Sequence, residues 1–173
     1  MNKKEIERKV PVNRRKFFLT YTSNPEDHGF SREQVEDMLD IVANYDEHEA
    51  FNDPDVVNSI GTFFEDGVCI EKDIEQAVYW YERAIVLDDD LAKSNLADIL
   101  RKGSQGYPKN LARAFELYKA CHIPYAYYRV GEFYEHGWAV EKDLEKAKEN
   151  YRIAYRENHP LARRKLSEFD FLH

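Results

Sequence analysis

Residues 60–84 read Ile60-Gly61-x-x-Phe64-x-x-Gly67-x-x-Ile70-Glu71-Lys72-Asp73-x-Glu75-x-Ala77-x-x-x-Tyr81-x-x-Ala84. The same phrase returns 70 residues later as Val130-Gly131-x-x-Tyr134-x-x-Gly137-x-x-Val140-Glu141-Lys142-Asp143-x-Glu145-x-Ala147-x-x-x-Tyr151-x-x-Ala154. That offset is too long for one helical hairpin and suits two. A worn copy lies between them in Leu96, Ala97, Leu100, Gly103, Asn110, Ala114, Tyr118 and Cys121, with one extra residue in its Gly103–Asn110 loop. A fourth copy starts at His159, Pro160, Leu161, Ala162, Leu166 and Ser167. A fixed period of this length is the signature of supersecondary units that bury their apolar faces against their neighbours. The expected fold is therefore all-α, an α/α solenoid of about three helix-turn-helix repeats. A cap helix precedes them and a capping half-repeat follows.

Each copy carries its own start and stop signals. The first helix buries a stripe at i, i+4, i+5 and i+8, read as Val56, Ile60, Gly61 and Phe64 or as Ala126, Val130, Gly131 and Tyr134, which is one helical face. The small residue in that stripe (Gly61, Ala97, Gly131, Ser167) lets the partner helix come close. Gly67, Gly103 and Gly137 fall where a helix ends in a left-handed residue, so positive φ is expected there. Gly67→Val is accordingly expected to destabilise more than Gly61→Ala, which adds a single methyl. Asp73, Asn110 and Asp143 offer side-chain acceptors to the first turn of the second helix. Pro54, Pro124 and Pro160 stand at the next first-helix starts, where proline is tolerated.

Upstream of the repeats the chain divides into a basic arm over 1–16 and an extended segment with a capping helix over 17–52, leaving 53–173 to the solenoid. Ser31-Arg32-Glu33-Gln34 is a capping box that opens the cap helix through Val35, Met38, Leu39 and Val42. Phe17 to Tyr21 is apolar and β-prone, a short strand or an extended segment on that cap.

Composition narrows the function classes. Among 173 residues the net charge is −8, although the first 16 hold seven Lys or Arg against Glu5 and Glu7. An acidic body argues against a general nucleic-acid binder, leaving the basic arm as the less favoured place for nucleic-acid contact. Two cysteines suit a reducing cytoplasm rather than a disulfide scaffold. No stretch approaches the ~20 apolar residues of a membrane span.

Catalytic and metal chemistry find no foothold in the pattern. The six histidines form no i, i+4 pair and no Cys/His cluster of zinc spacing. Asp46-Glu47-His48-Glu49 reads as a solvated acidic loop, and Cys69 and Cys121 read as small packed hydrophobes without a histidine to activate them. Phe17-Phe18-Leu19-Thr20-Tyr21 is similar to the first motif of rolling-circle replication initiators, but those enzymes also need a His-x-His pair, which this chain lacks. No enzyme activity, cofactor or metal is expected.

The repeat closely resembles the Sel-one-like repeat family, relatives of the tetratricopeptide repeats. The matching residues are Gly61, Gly67, Asp73, Ala77, Trp80, Tyr81 and Ala84 in one copy, and Gly131, Tyr134, Gly137, Val140, Asp143, Lys146, Ala147, Tyr151 and Ala154 in another. Cys69 and Ala139 depart from it by replacing a second loop glycine, and the Cys121–Ala126 link is three residues shorter than Ala84–Ala92. The resemblance implies a curved stack that binds other proteins, with first helices lining its concave side and Trp80 and Tyr81 in the core, leaving Tyr79 as the exposed member of that aromatic run.

On that basis the expected function is a non-enzymatic protein–protein interaction module, an adaptor or scaffold. The alternative is an inhibitor or immunity-type protein that blocks a partner enzyme with its acidic surface. The partner-binding residues are expected to be Asn58, Thr62, Asp98, Arg101, Tyr128, Arg129, Glu132 and Glu135. Tyr128 and Arg129 should carry most of the energy and the acidic residues should steer encounter. Phe63 and Phe133 are assigned equally to this face and to packing between repeats.

Overall fold

A computed structural model describes residues 53–67 and 72–171, together with Ser31, Glu33, Gln34 and Asp37. Seven α-helices have described bounds: α1 Pro54–Asp66, α2 Ile74–Val86, α3 Asp90–Lys102, α4 Leu111–Lys119, α5 Pro124–His136, α6 Leu144–Arg156 and α7 Ala162–Phe171. No strand occurs among the described residues. The all-α class is as expected. The basic arm, the Phe17–Tyr21 segment, the acidic loop at Asp46–Glu49 and Cys69 lie outside the described residues. Of the capping box, Ser31 N donates to Gln34 Oε1 at 2.8 Å and Gln34 N to Ser31 Oγ at 3.1 Å.

The chain forms two compact units that divide between Asp89 and Asp90. The described hairpin of the first unit is α1 against α2; the second unit holds α3–α4, α5–α6 and α7, with α4 on α5 and α7 on α6.

Local chemistry sets these boundaries. Gly67, Gly103 and Gly137 have φ of 72°, 71° and 69°, the left-handed conformation expected of them. Asp73, Asn110 and Asp143 each cap the following helix through a side-chain oxygen, accepting from Gln76 N, Arg113 N and Lys146 N. The amides of the same three residues donate back to Phe64, Leu100 and Tyr134 carbonyls, which closes each turn onto its first helix. Pro54 and Pro124 sit at the first helical turn. Pro160 instead lies in the turn before α7, whose first residue is Ala162.

The small residues of the stripe have a specific neighbour. A Cβ at Gly61 would come within 2.5 Å of Tyr81 Cε1, and one at Gly131 within 2.6 Å of Tyr151 Cε1. Both rings are fully buried, so they have nowhere to move. Gly61→Ala is therefore not the mild change its single methyl suggests. The apolar stripe itself is shifted in α1, where Val57 is buried and Val56 only half-buried.

Candidate partner-binding face

The face of each first helix that remains after the core stripe is assigned is only partly open to solvent. Phe63, Ile99 and Phe133 occupy equivalent places two residues after the small one, and all are fully buried. In the second unit the cause is visible, since Phe133 meets Phe115 and Tyr118 of α4 with ring centroids 5.5 and 5.9 Å apart. Phe133 thus packs between repeats. Tyr79 is also buried, edge-on to Trp80 at 5.3 Å and accepting from Arg83 Nη1 at 3.4 Å.

Tyr128 is the main correction among the expected contact residues. It is 4% exposed and belongs to the core cluster of α5, α6 and α7 with Tyr151, Ala154 and Phe169. Its ring stacks on His159 at 4.4 Å and leans on Tyr151 at 5.4 Å. A side chain so placed supports the surface from beneath. Asn58 is likewise buried at 8% exposure.

The remaining expected residues form a polar layer, and buried tyrosines organise it. Tyr81, Tyr118 and Tyr151 stand at matching places on α2, α4 and α6, and each passes its ring beneath the first helix of its hairpin. Their hydroxyls emerge on the polar side. A buried tyrosine needs a partner for that group, and each finds a carboxylate. Tyr81 donates to Glu65 Oε2 at 2.7 Å, with Thr62 Oγ1 at 3.2 Å, and Tyr151 donates to Glu135 Oε2. Tyr118 donates to Asp98 Oδ1. Burial first, and then the adjacent carboxylate, holds all these hydroxyls well above the usual tyrosine range. They remain protonated donors at any physiological pH.

Asp98 collects the most partners. Besides Tyr118 it accepts from Tyr125 Oη at 2.9 Å, Lys102 Nζ at 2.9 Å and Arg101 Nη2 at 3.3 Å, and Arg129 Nε lies 4.0 Å away. Burial alone would raise its carboxyl, but the hydrogen bonds from Tyr118, Lys102 and Tyr125 outweigh that and hold it below the usual carboxylate range. Arg129 lies over the Tyr125 ring at 4.7 Å and donates to Glu132 Oε2 at 2.6 Å. Glu135 is held the same way, burial being outweighed by Tyr151 and by Lys165 Nζ at 3.0 Å. The charged side chains of this layer (Asp98, Arg101, Arg129, Glu132, Glu135, Lys165) are between 16% and 21% exposed.

Two consequences follow for the expected roles. Glu132 is bound to Arg129 and cannot act as an isolated steering charge. Asp98, Arg101, Arg129, Glu132 and Glu135 are brought together on the second unit, where Lys165 of the terminal half-repeat joins them and Tyr125 does so unforeseen. Thr62 belongs to the matching layer of α1, in the first unit. Among the described residues no group of three or more His, Cys, Asp or Glu could hold a metal ion. Cys121 is buried, its thiol donating to Asp90 O at 3.1 Å. No helix among the described residues is long and apolar enough to cross a membrane.

Helical hairpins with glycine stops, Asp or Asn caps and a tyrosine of the second helix beneath the first define a class, the helical repeat proteins of solenoid type. The family model of the Sel1 repeat matches residues 58–89, 91–120 and 124–159, more than half of the sequence, and the chain belongs to that family. Sel1 repeat proteins are generally protein-interaction scaffolds and are typically not catalytic. Among solved structures, the chain is similar to a Sel1 repeat protein from Oxalobacter formigenes at 25% identity and a TM-score of 0.65, covering 76% of this chain and 98% of that one. It is also similar to a protective antigen present in uropathogenic Escherichia coli strains that displays an SLR fold. There the identity is 17% and the TM-score 0.66, over 94% of this chain and 34% of the antigen. No curated relative matches the sequence.

Proposed function

We propose that residues 53–173 are a non-enzymatic adaptor or scaffold that holds a protein partner on the polar face of α3 and α5. The observation that carries this reading is preorganisation. Arg129 is pinned by Glu132 on one side and stacked on Tyr125 on the other. A rigid guanidinium loses little side-chain entropy when a partner covers it. Aromatic residues and arginine also dominate binding energy at interfaces of this kind. The carboxylates of the face are already matched by Arg101, Lys102, Arg129 and Lys165, which weighs against the alternative of an acidic plug for a basic active site. A cytoplasmic setting fits the cysteine content, with Cys121 a packed free thiol.

The test is affinity purification with the wild-type chain and with Arg129→Ala, followed by titration of whatever protein the wild type alone retains. Circular dichroism first establishes that the variant is folded. Loss of Arg129 should weaken binding roughly 30-fold, corresponding to about 2 kcal/mol. Unchanged affinity removes the partner from this face.

A further inference from the structure

We propose that His159 is an acid-sensitive latch at the joint between α6 and α7, keeping the C-terminal helix docked when neutral and loosening it when protonated. This goes beyond partner binding and does not rest on it. His159 lies in the turn after α6, where Asn158 takes a left-handed φ of 64° and His159 N donates to Ala154 O at 2.8 Å. Its carbonyl then receives Ala162 N at 3.2 Å, at the first residue of α7. The imidazole is therefore fixed to both helices through its own backbone.

The ring packs against two tyrosines of α5. It stacks on Tyr128 at 4.4 Å with planes 24° apart, and it lies 6.2 Å from Tyr125. Nδ1 is buried and has no hydrogen-bond partner among the described residues. A neutral imidazole can present that nitrogen as a bare acceptor at modest cost, whereas an imidazolium must place an N–H there. The charged groups bearing on it from α5 are Arg129 and Glu132. Those of α7, Arg164 and Lys165, act on the Tyr128 ring beneath it, and α6 contributes the neutral Tyr151 to the same stack. On the imidazole itself one cation, Arg129, opposes one carboxylate, Glu132. Burial first, then Arg129, pushes the histidine below its ordinary value against the smaller pull of Glu132.

The sign of the pH effect follows. The unfolded chain takes up this proton at about pH 6.5, before the folded chain does. Stability contributed by the neutral ring is therefore complete above that pH and is lost as pH falls toward the lower folded value. Asp98 and Glu135, held below the usual carboxylate range, stay ionised throughout this window. Loosening should begin in α7, which packs on α6 and carries the Lys165 that pairs with Glu135.

Thermal unfolding of the full chain between pH 7.5 and 5.0 tests the latch against His159→Phe, which keeps a stacking ring and removes the titration. The wild-type midpoint should fall on the order of 5 °C more than that of the variant. Amide exchange corrected for intrinsic rates should show protection over 162–171 falling at pH 5.0 while that over 90–119 holds. Independently of any variant, the His159 ring protons should titrate below 6.5 by NMR. Equal acid slopes for the two proteins, or a His159 titration at or above 6.5, would overturn the proposal. Should the variant fail to fold, the wild-type titration and exchange decide it.

Discussion

The α5–α6 and α3–α4 hairpins solve one packing problem in different ways. In α5–α6, Gly131 lets the Tyr151 ring pass within what would be a Cβ contact, and the hydroxyl meets Glu135 one turn further along α5. The α1–α2 hairpin repeats this with Gly61, Tyr81 and Glu65. In α3–α4 the small residue is Ala97, Arg101 occupies the place of the glutamate, and the carboxylate has moved back one turn to Asp98. The buried hydroxyl keeps its acceptor even though the acidic residue changes position. What is fixed is the hydrogen bond, because an unmatched hydroxyl at that depth costs about 1–3 kcal/mol. The moved carboxylate then lies within reach of Tyr125 and Arg129 of the next hairpin, so α3–α4 is also where adjacent repeats of the second unit are joined by polar contacts.

The largest effect that would test this contrast is at the small residue. Gly131→Ala and Gly61→Ala should each cost about 3 kcal/mol in urea unfolding, the upper range for an overpacked core. Ala97→Gly should cost only about 1 kcal/mol, the helix penalty of glycine. A Gly131→Ala variant as stable as Ala97→Gly would mean that the tyrosine ring is not held against the first helix.

A middle-sized effect separates the carboxylates. Asp98→Asn should destabilise by about 2 kcal/mol and Glu135→Gln by about 1 kcal/mol, since Asp98 receives more charged and hydroxyl donors. Both folded carboxyls lie below their ordinary values, so this stability is present above about pH 4 and fades as pH falls further. Acid unfolding of Asp98→Asn should accordingly be the shallower of the two. Equal losses would show that the extra partners of Asp98 add nothing.

The smallest effect concerns the loops. Ala139 holds a left-handed φ of 58°, the conformation that glycine adopts freely, at the place where the repeat pattern has its second glycine. Ala139→Gly should raise stability by about 1 kcal/mol. Asp88 and Asn158, with φ of 65° and 64° in the turns after α2 and α6, belong to residue types that tolerate this conformation. Replacing Asn158 by glycine should give a smaller gain than at Ala139, and the reverse order would contradict the strain assigned to alanine.

Much of the fold was legible because its signals are local. The caps at Asp73, Asn110 and Asp143 and the stops at Gly67, Gly103 and Gly137 depend on hydrogen bonds within a few residues, which spacing alone exposes. The polar face was legible in membership and not in depth. Asp98, Arg101, Arg129, Glu132 and Glu135 do gather, but helical periodicity cannot distinguish an open face from one that a neighbouring hairpin covers. Tyr128, Tyr79 and Phe133 were obscured for that reason. Nor could spacing reveal which carboxylate a tyrosine hydroxyl meets 16 to 20 residues away, although three tyrosines beneath small residues were a sign that such acceptors exist.

The shortened link after α4 carries a consequence for how the second unit assembles. Cys121 Sγ and His122 N both close onto Asp90, across 31 and 32 residues. The Lys165–Glu135 contact spans 30. Tertiary hydrogen bonds of such short reach involve small loop-closure entropies and give low contact order, the condition for fast folding. Closing α3–α4 at Asp90 also sets the start of α5 against a finished hairpin, so growth toward the C-terminus can proceed by nearest-neighbour addition, as a zipper does.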